Sequence, residues 1–197
     1  MKFKYMFLIG IFALSSFSSS AEELKRRNIE PELNCLNGPV KIKDPSEFYL
    51  LFGDYTEEDG NLKVISRKPL KIHVYTEIFG SEPLEVKEHL VKKALISNTY
   101  RVFAFSDTDK ISVTSSAKKI SIANGVKEGK QLKSPTYTLT KTREQALSDL
   151  QKYTKAKSFD DLFDKNQICQ FSPVFKQFLY DDQGGIGISK FYDLVKK

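Results

Sequence analysis

The stretch Leu70-Lys71-Ile72-His73-Val74-Tyr75-Thr76-Glu77-Ile78-Phe79 decides how the chain is read. Leu70, Ile72, Val74, Thr76 and Ile78 alternate with Lys71, His73, Tyr75, Glu77 and Phe79. A period of two marks a strand with one face on a core and the other toward water. Within a few residues the period changes. Ser81 stands where it can cap a helix from about Glu82 to Ser97, with Glu82 and Glu85 in the first turn, where the helix dipole favours acids. Leu84, Leu90, Val91, Ala94 and Leu95 fall mostly on one stripe of that helix.

Downstream, Tyr100-Arg101-Val102-Phe103-Ala104-Phe105 reads as a central strand. A turn at Ser106-Asp107-Thr108-Asp109 precedes strands at Ile111–Thr114 and Lys119–Ala123. Asn124-Gly125 is a hairpin signal, because both positions tolerate positive φ, and Thr136–Thr140 adds another strand. Then the chain turns helical. Thr142-Arg143-Glu144-Gln145 is a capping box opening a helix with Ala146, Leu147, Leu150 and Tyr153 on its apolar side. Ser158–Lys165 is a second short helix, and Ser172-Pro173 opens a third with proline at its first position. The connector Gly184-Gly185-Ile186-Gly187 leads to a last helix carrying Phe191, Leu194 and Val195. This order predicts one α+β domain: a mixed or mainly antiparallel sheet, one helix inserted between strands, and a helical C-terminal third.

Upstream, Pro31, Gly38, Pro39 and Pro45 make residues 22–45 an irregular arm. Residues 45–52 predict a short buried helix, followed by a polar turn from Gly53 to Asn61. Residues 1–21 have the order of an export signal. Lys2 and Lys4 precede the apolar run Met6–Leu14, and Ser19 and Ala21 are small residues ahead of Glu22. The expected cut lies between Ala21 and Glu22. About nine apolar residues rising 1.5 Å each cover about half of a ~30 Å hydrocarbon core, too little for a stable anchor. The first cysteine is Cys35, which places no lipid-bearing residue at the cut. The expected domain, 22–197, therefore works in the periplasm or as a secreted protein.

The full chain carries a net charge of +6 over 197 residues. Residues 1–21 hold two of its 31 basic residues and none of its 25 acidic ones, which leaves 29 against 25, a net +4. Those charges are spread as pairs such as Lys92-Lys93 and Lys118-Lys119, whereas a nucleic-acid footprint is a dense stripe on one face. No nucleic-acid partner is expected. Cys35 and Cys169 are an even pair, and in an oxidising compartment they predict a disulfide. Closing that loop of 134 residues restricts the unfolded chain by about 5 kcal/mol on the entropy model.

Candidate chemistry is sparse. A serine triad needs a histidine oriented by a carboxylate and a serine on a sharp turn. His73 falls mid-strand and His89 mid-helix, both on polar faces, and no Gly-x-Ser-x-Gly elbow is present. Ser115-Ser116-Ala117-Lys118-Lys119 holds two Ser-x-x-Lys spacings, which expectation places between strands rather than on a helix. Two separate histidines and a paired cysteine supply no zinc site. The acidic stretch Asp54–Asp59, aligned with Gly60 at position six of a calcium loop, puts Tyr55 first and Ser66 at the twelfth position, where the loop wants glutamate. Glu77, Asp107, Asp109 and Asp182 are the acids a glycoside hydrolase could draw on, since such a pair converges in space rather than in sequence. The glycine-rich 184–187 follows a helix, not the strand that a phosphate loop requires.

No catalytic, cofactor-binding or metal residues are therefore assigned, and no cofactor is expected. The expected function is a non-catalytic exported protein that binds another protein of the envelope or exterior, as an inhibitor, immunity factor or accessory subunit. Tyr75, Phe79 or Tyr180 are candidates for its contact surface. The alternatives are a small envelope hydrolase acting on glycan or peptide through carboxylates, and a small-molecule or lipid carrier with a cavity lined by phenylalanines.

Overall fold

A computed structural model describes residues 41–43, 55–123, 126–164 and 170–197. The expected signal with its cut at Ala21 and Glu22, most of the 22–45 arm, the 45–52 helix, Asn124-Gly125, and the Cys35–Cys169 pair lie outside the described residues.

Strand β2 spans Leu70–Phe79, residue for residue where alternation puts it. Its Ile72, Val74 and Ile78 are buried. On one side it pairs antiparallel with β1, Leu62–Arg67, which bulges between Val64 and Ser66. On its other side it pairs parallel with β3, Lys110–Ala123. A parallel pair needs a crossover, and α1, Leu84–Phe105, supplies it. Strand β3 then pairs antiparallel with β4, Val126–Thr142. The result is a four-stranded mixed sheet in the order β1-β2-β3-β4. The three strand segments expected after residue 110 merge into these two long strands.

The expected strand at Tyr100–Phe105 is a correction: it forms the last two turns of α1. The reason lies in packing. From Ala94 to Phe105 every residue of α1 is buried. One side of the helix lies on the sheet and the other is covered by the C-terminal helices. A helix surrounded on all sides loses the apolar stripe that identifies it and reads as a short continuous apolar run. The start of α1 also differs from expectation. Pro83, not Ser81, occupies the N-cap, with extended backbone and no capping side chain, and Glu85 is the acid in the first turn.

The C-terminal part follows its caps. Helix α2, Arg143–Tyr153, opens on the capping box: Gln145 N–H donates to Thr142 Oγ1 at 3.2 Å, and Thr142 N–H donates to Gln145 Oε1 at 3.0 Å. The second expected helix is a single 3₁₀ turn, Phe159–Leu162. Helix α3, Pro173–Leu179, begins with the Ser172 hydroxyl accepting from Phe175 N–H at 3.1 Å. Helix α4 spans Ile188–Val195. Between sheet and helices lies a core in which Tyr100, Phe103, Phe105, Phe175, Phe178 and Phe191 are fully buried. Their rings interlock, with centroids 4.6 Å apart for Phe178 and Phe191 and 4.9 Å for Phe175 and Phe178.

Candidate functional site: the open face of the sheet

Alternation sends every second sheet residue away from the helices, and register gathers those residues into rows. Lys63, His73, Thr114 and Thr138 form one row. Ser66, Lys71, Ser112 and Thr140 form the next, and Tyr75, Ser116 and Thr136 lie on the far side of the His73 row. These three rows contain no carboxylate. Across β3 and β4 the hydroxyls bond in pairs, Thr114 to Thr138 at 3.0 Å, Ser116 to Thr136 at 2.9 Å, and Thr140 to Ser112 at 2.9 Å. Such cross-strand pairs stiffen a sheet by a few tenths of a kcal/mol each, up to about 1.

His73 joins this ladder. Its Nε2 lies 2.8 Å from Ser116 Oγ, and its ring stacks on Tyr75 at 4.1 Å between centroids. The proton order along the chain of contacts is fixed from its far end. Thr136 Oγ1 donates its one proton to the Lys133 carbonyl at 3.0 Å. It must therefore accept from Ser116, and Ser116 in turn accepts from His73 Nε2–H. Burial first, and then the Lys63 ammonium, lower the His73 pKa below its ordinary value.

Sequence reasoning put His73 on a polar strand face but did not find Ser116. The signal for the partner is the register of β2 against β3, which no local pattern carries. This contact is not an activated serine. A nucleophile's base must take the hydroxyl proton, whereas the Ser116 proton points to Thr136 and no carboxylate in the rows orients the imidazole. Ser116 is also only 2 % exposed.

The remaining candidates are dispersed. His89 meets Asp181 at 3.2 Å on the outer side of α1. Ser115-Ser116-Ala117-Lys118-Lys119 runs inside β3, not between strands as expected, so residues three apart point to opposite faces and no serine–lysine turn forms. Lys118 Nζ donates instead to the Asp59 carbonyl at 2.6 Å. Glu77 pairs with Lys118, well along β3, while Asp107 and Asp109 precede Lys110 at its start. Eight residues of strand separate Lys110 from Lys118, about 26 Å. Hydrolytic carboxylate pairs stand within about 10 Å. Asp182 is exposed in the loop before α4, where it accepts from its neighbour Gln183 at 3.3 Å. Among the described residues no group of three potential metal ligands forms.

Of the expected contact residues, Phe79 is 55 % exposed, whereas Tyr75 is only 8 % exposed beneath the His73 ring. Tyr180 is half-covered, with Lys93 Nζ 3.8 Å above its ring. Tyr137, at the edge of the core, is pushed up to about 12 by burial and by the Glu88 carboxylate.

A cleft of about 640 Å³ opens at the C-terminal end of α1, lined among others by Lys41, Lys43, Arg67, Asp107, Asp109 and Lys110. One of its cations, Lys41, has helix work to do, and Arg143 nearby has the same. The last carbonyls of a helix lack internal partners and carry partial negative charge. Ile42 N–H caps Phe105 O and Lys41 Nζ donates to Ala104 O at 3.3 Å. Arg143 donates to Ser106 O and to Thr108 O, its guanidinium lying over Phe103 and Phe159. Burial lowers the Arg143 pKa against the raising effect of Asp107 and Asp109. The cleft is thus the capped end of the central helix, which leaves the polar rows of the sheet face as the candidate site. The chain matches no family model, no curated protein and no solved structure.

Proposed function

We propose that the chain is an exported, non-catalytic protein that acts by binding another protein of the cell envelope, in the manner of an inhibitor, an immunity factor or an accessory subunit. The observation that carries this reading is the open sheet face: a surface braced by hydroxyl pairs, with no carboxylate in three rows and no reactive arrangement on it. Rigid surfaces lose little conformational entropy on association, which favours recognition without an induced rearrangement. The order of charges and apolar residues in 1–21 supports export, and a periplasmic location fits it. Among the described residues no helix is long and apolar enough to cross a membrane.

The hydrolase alternative needs carboxylates that converge, whereas among the described residues Glu77 stands about 26 Å along the sheet from Asp107 and Asp109. Most of the described phenylalanines, among them Phe103, Phe105, Phe175, Phe178 and Phe191, are taken up by the core rather than arranged around a cavity. The test is crosslinking of the tagged full chain in its own envelope, followed by purification and mass spectrometry. One protein partner at near-equal yield is expected, together with a processed chain beginning at Glu22. Turnover of wall glycan or peptide by the purified protein, with no partner recovered, refutes the reading.

A further inference from the structure

The cations of the open face are arranged in a line. Lys63 stands on β1 in the His73 row, Lys71 on β2 in the Ser112 row, and Lys110 on β3 in the row of Thr142. Each step moves one strand across and one row along. With strands about 4.8 Å apart and same-face residues about 6.7 Å apart, successive lysines are about 8 Å from one another, on a diagonal about 35° from the strands. All three are exposed, and no ion pair holds any of them among the described residues. The neighbours along the diagonal are short hydroxyl side chains, Ser66, Ser112 and Thr114, so a chain laid there can approach the sheet closely. The nearest carboxylates by sequence lie off the three rows, Asp109 before Lys110 and Glu77 beyond Tyr75.

We infer that this diagonal is the docking track for an extended acidic segment of a partner protein, with carboxylates at alternate residues. Three features point to that occupant. Within the three rows the charge is of one sign, with Glu57 held at the β1 edge by Val64 N–H and Glu77 beyond Tyr75. Such a positive stretch selects an acidic partner and steers its approach. Alternate residues of an extended segment repeat at about 6.7 Å, close enough to 8 Å for lysine arms to take up the difference. The angle matches the ~30° at which one set of strands packs across another. The inference deepens the binding reading and rests on it.

The test uses the full exported chain and two fluorescein-labelled peptides of equal composition, one with glutamate at every second position and one with its glutamates in a single block. Two triple variants carry the same charge change: Lys63→Glu/Lys71→Glu/Lys110→Glu on the face, and Lys152→Glu/Lys155→Glu/Lys157→Glu on the helical side. Exposed charge pairs contribute modestly, so the face triple is expected to weaken binding of the alternating peptide by about tenfold or more, and the helical triple by less than about threefold. The blocked peptide is expected to bind more weakly than the alternating one.

Equal weakening by both triples reduces the effect to bulk charge and overturns the inference, as does absence of peptide binding. Tighter lysine-dependent binding of polyphosphate or of phosphatidylglycerol vesicles overturns it in favour of a non-protein polyanion. If the reversal triple does not fold, Lys63→Ala/Lys71→Ala/Lys110→Ala replaces it, with the same expected direction. An envelope partner that the face triple captures as well as the parent does removes the lysine track while leaving the binding reading intact.

Discussion

At His73 a ring nitrogen, two hydroxyls and a backbone carbonyl share protons in one direction, and that order has a consequence in solution. Burial and Lys63 lower its pKa, so the folded protein takes up the proton less readily than the unfolded chain. Unfolding is then favoured by protonation, and stability falls as pH drops below about 6.5 toward the lowered value, where the loss levels off. Glutamine keeps an N–H for Ser116 without titrating. His73→Gln is therefore expected to lose less thermal stability between pH 8 and pH 5 than the parent, read as the slope of Tm against pH, and equal slopes exclude the effect.

Gly185 offers a second residue-scale test. A Cβ there would collide with the backbone carbonyl of Gln177, whereas at Gly184, with φ +67°, it would meet only open space. Gly185→Ala is expected to cost more than about 2 kcal/mol in urea unfolding, against about 1 for the left-handed strain of Gly184→Ala. A reversed order would show that the loop does not pack on α3.

Between elements, β4 and α2 are tied by Lys141 and Asp149, 2.9 Å apart and with little of either side chain exposed. The contact is held by charge rather than by an aligned hydrogen bond, since Asp149 Oδ2 lacks a well-directed donor. Burial first, and then the same carboxylate, raise the pKa of Tyr100, which sits inside the core on α1. Breaking such a pair leaves a buried charge and costs about 3 kcal/mol or more, while removing both partners costs far less. Lys141→Met is thus expected to destabilise more than Lys141→Met/Asp149→Leu, and a double variant as unstable as the single one would refute the coupling.

Elements with local chemistry were legible in the sequence. Strand β2 announced itself by period, α2 by Thr142 and Gln145, and α3 by Ser172-Pro173. Those without it were not. In β1, the bulge at Ile65 breaks the alternation of Leu62, Lys63 and Val64, and the strand went unread. The end of α1 misled because its neighbours, not its own pattern, bury Tyr100 through Phe105. Of the candidate site, Lys71 and His73 could be placed on a polar strand face, but Lys63 lay on the unread strand. The pairing of His73 with Ser116 and the diagonal of Lys63, Lys71 and Lys110 come from register across separate strands.

At the scale of the whole molecule, one helix mediates between two layers. Phe191 on α4 lies 4.6 Å from Phe178 and 5.7 Å from Tyr100, centroid to centroid, so the final helix closes the core around α1. Phe191→Ala is expected to cost about 3–5 kcal/mol, comparable to much of a domain's net stability, and to lower the urea midpoint accordingly. The partly exposed Leu194 on the same helix should tolerate alanine far better. Equal effects would mean that α4 merely leans on the surface.

The all-round burial of Ala94 to Phe105 also sets a schedule. A ribosome or a translocation pore releases this chain from its N-terminal end, and until the closing helix emerges the last three turns of α1 have oil on one side and water on the other. No early portion can settle alone. The polypeptide stays pliable until its tail is free and becomes rigid only then, which is the order of events that the proposed export would require.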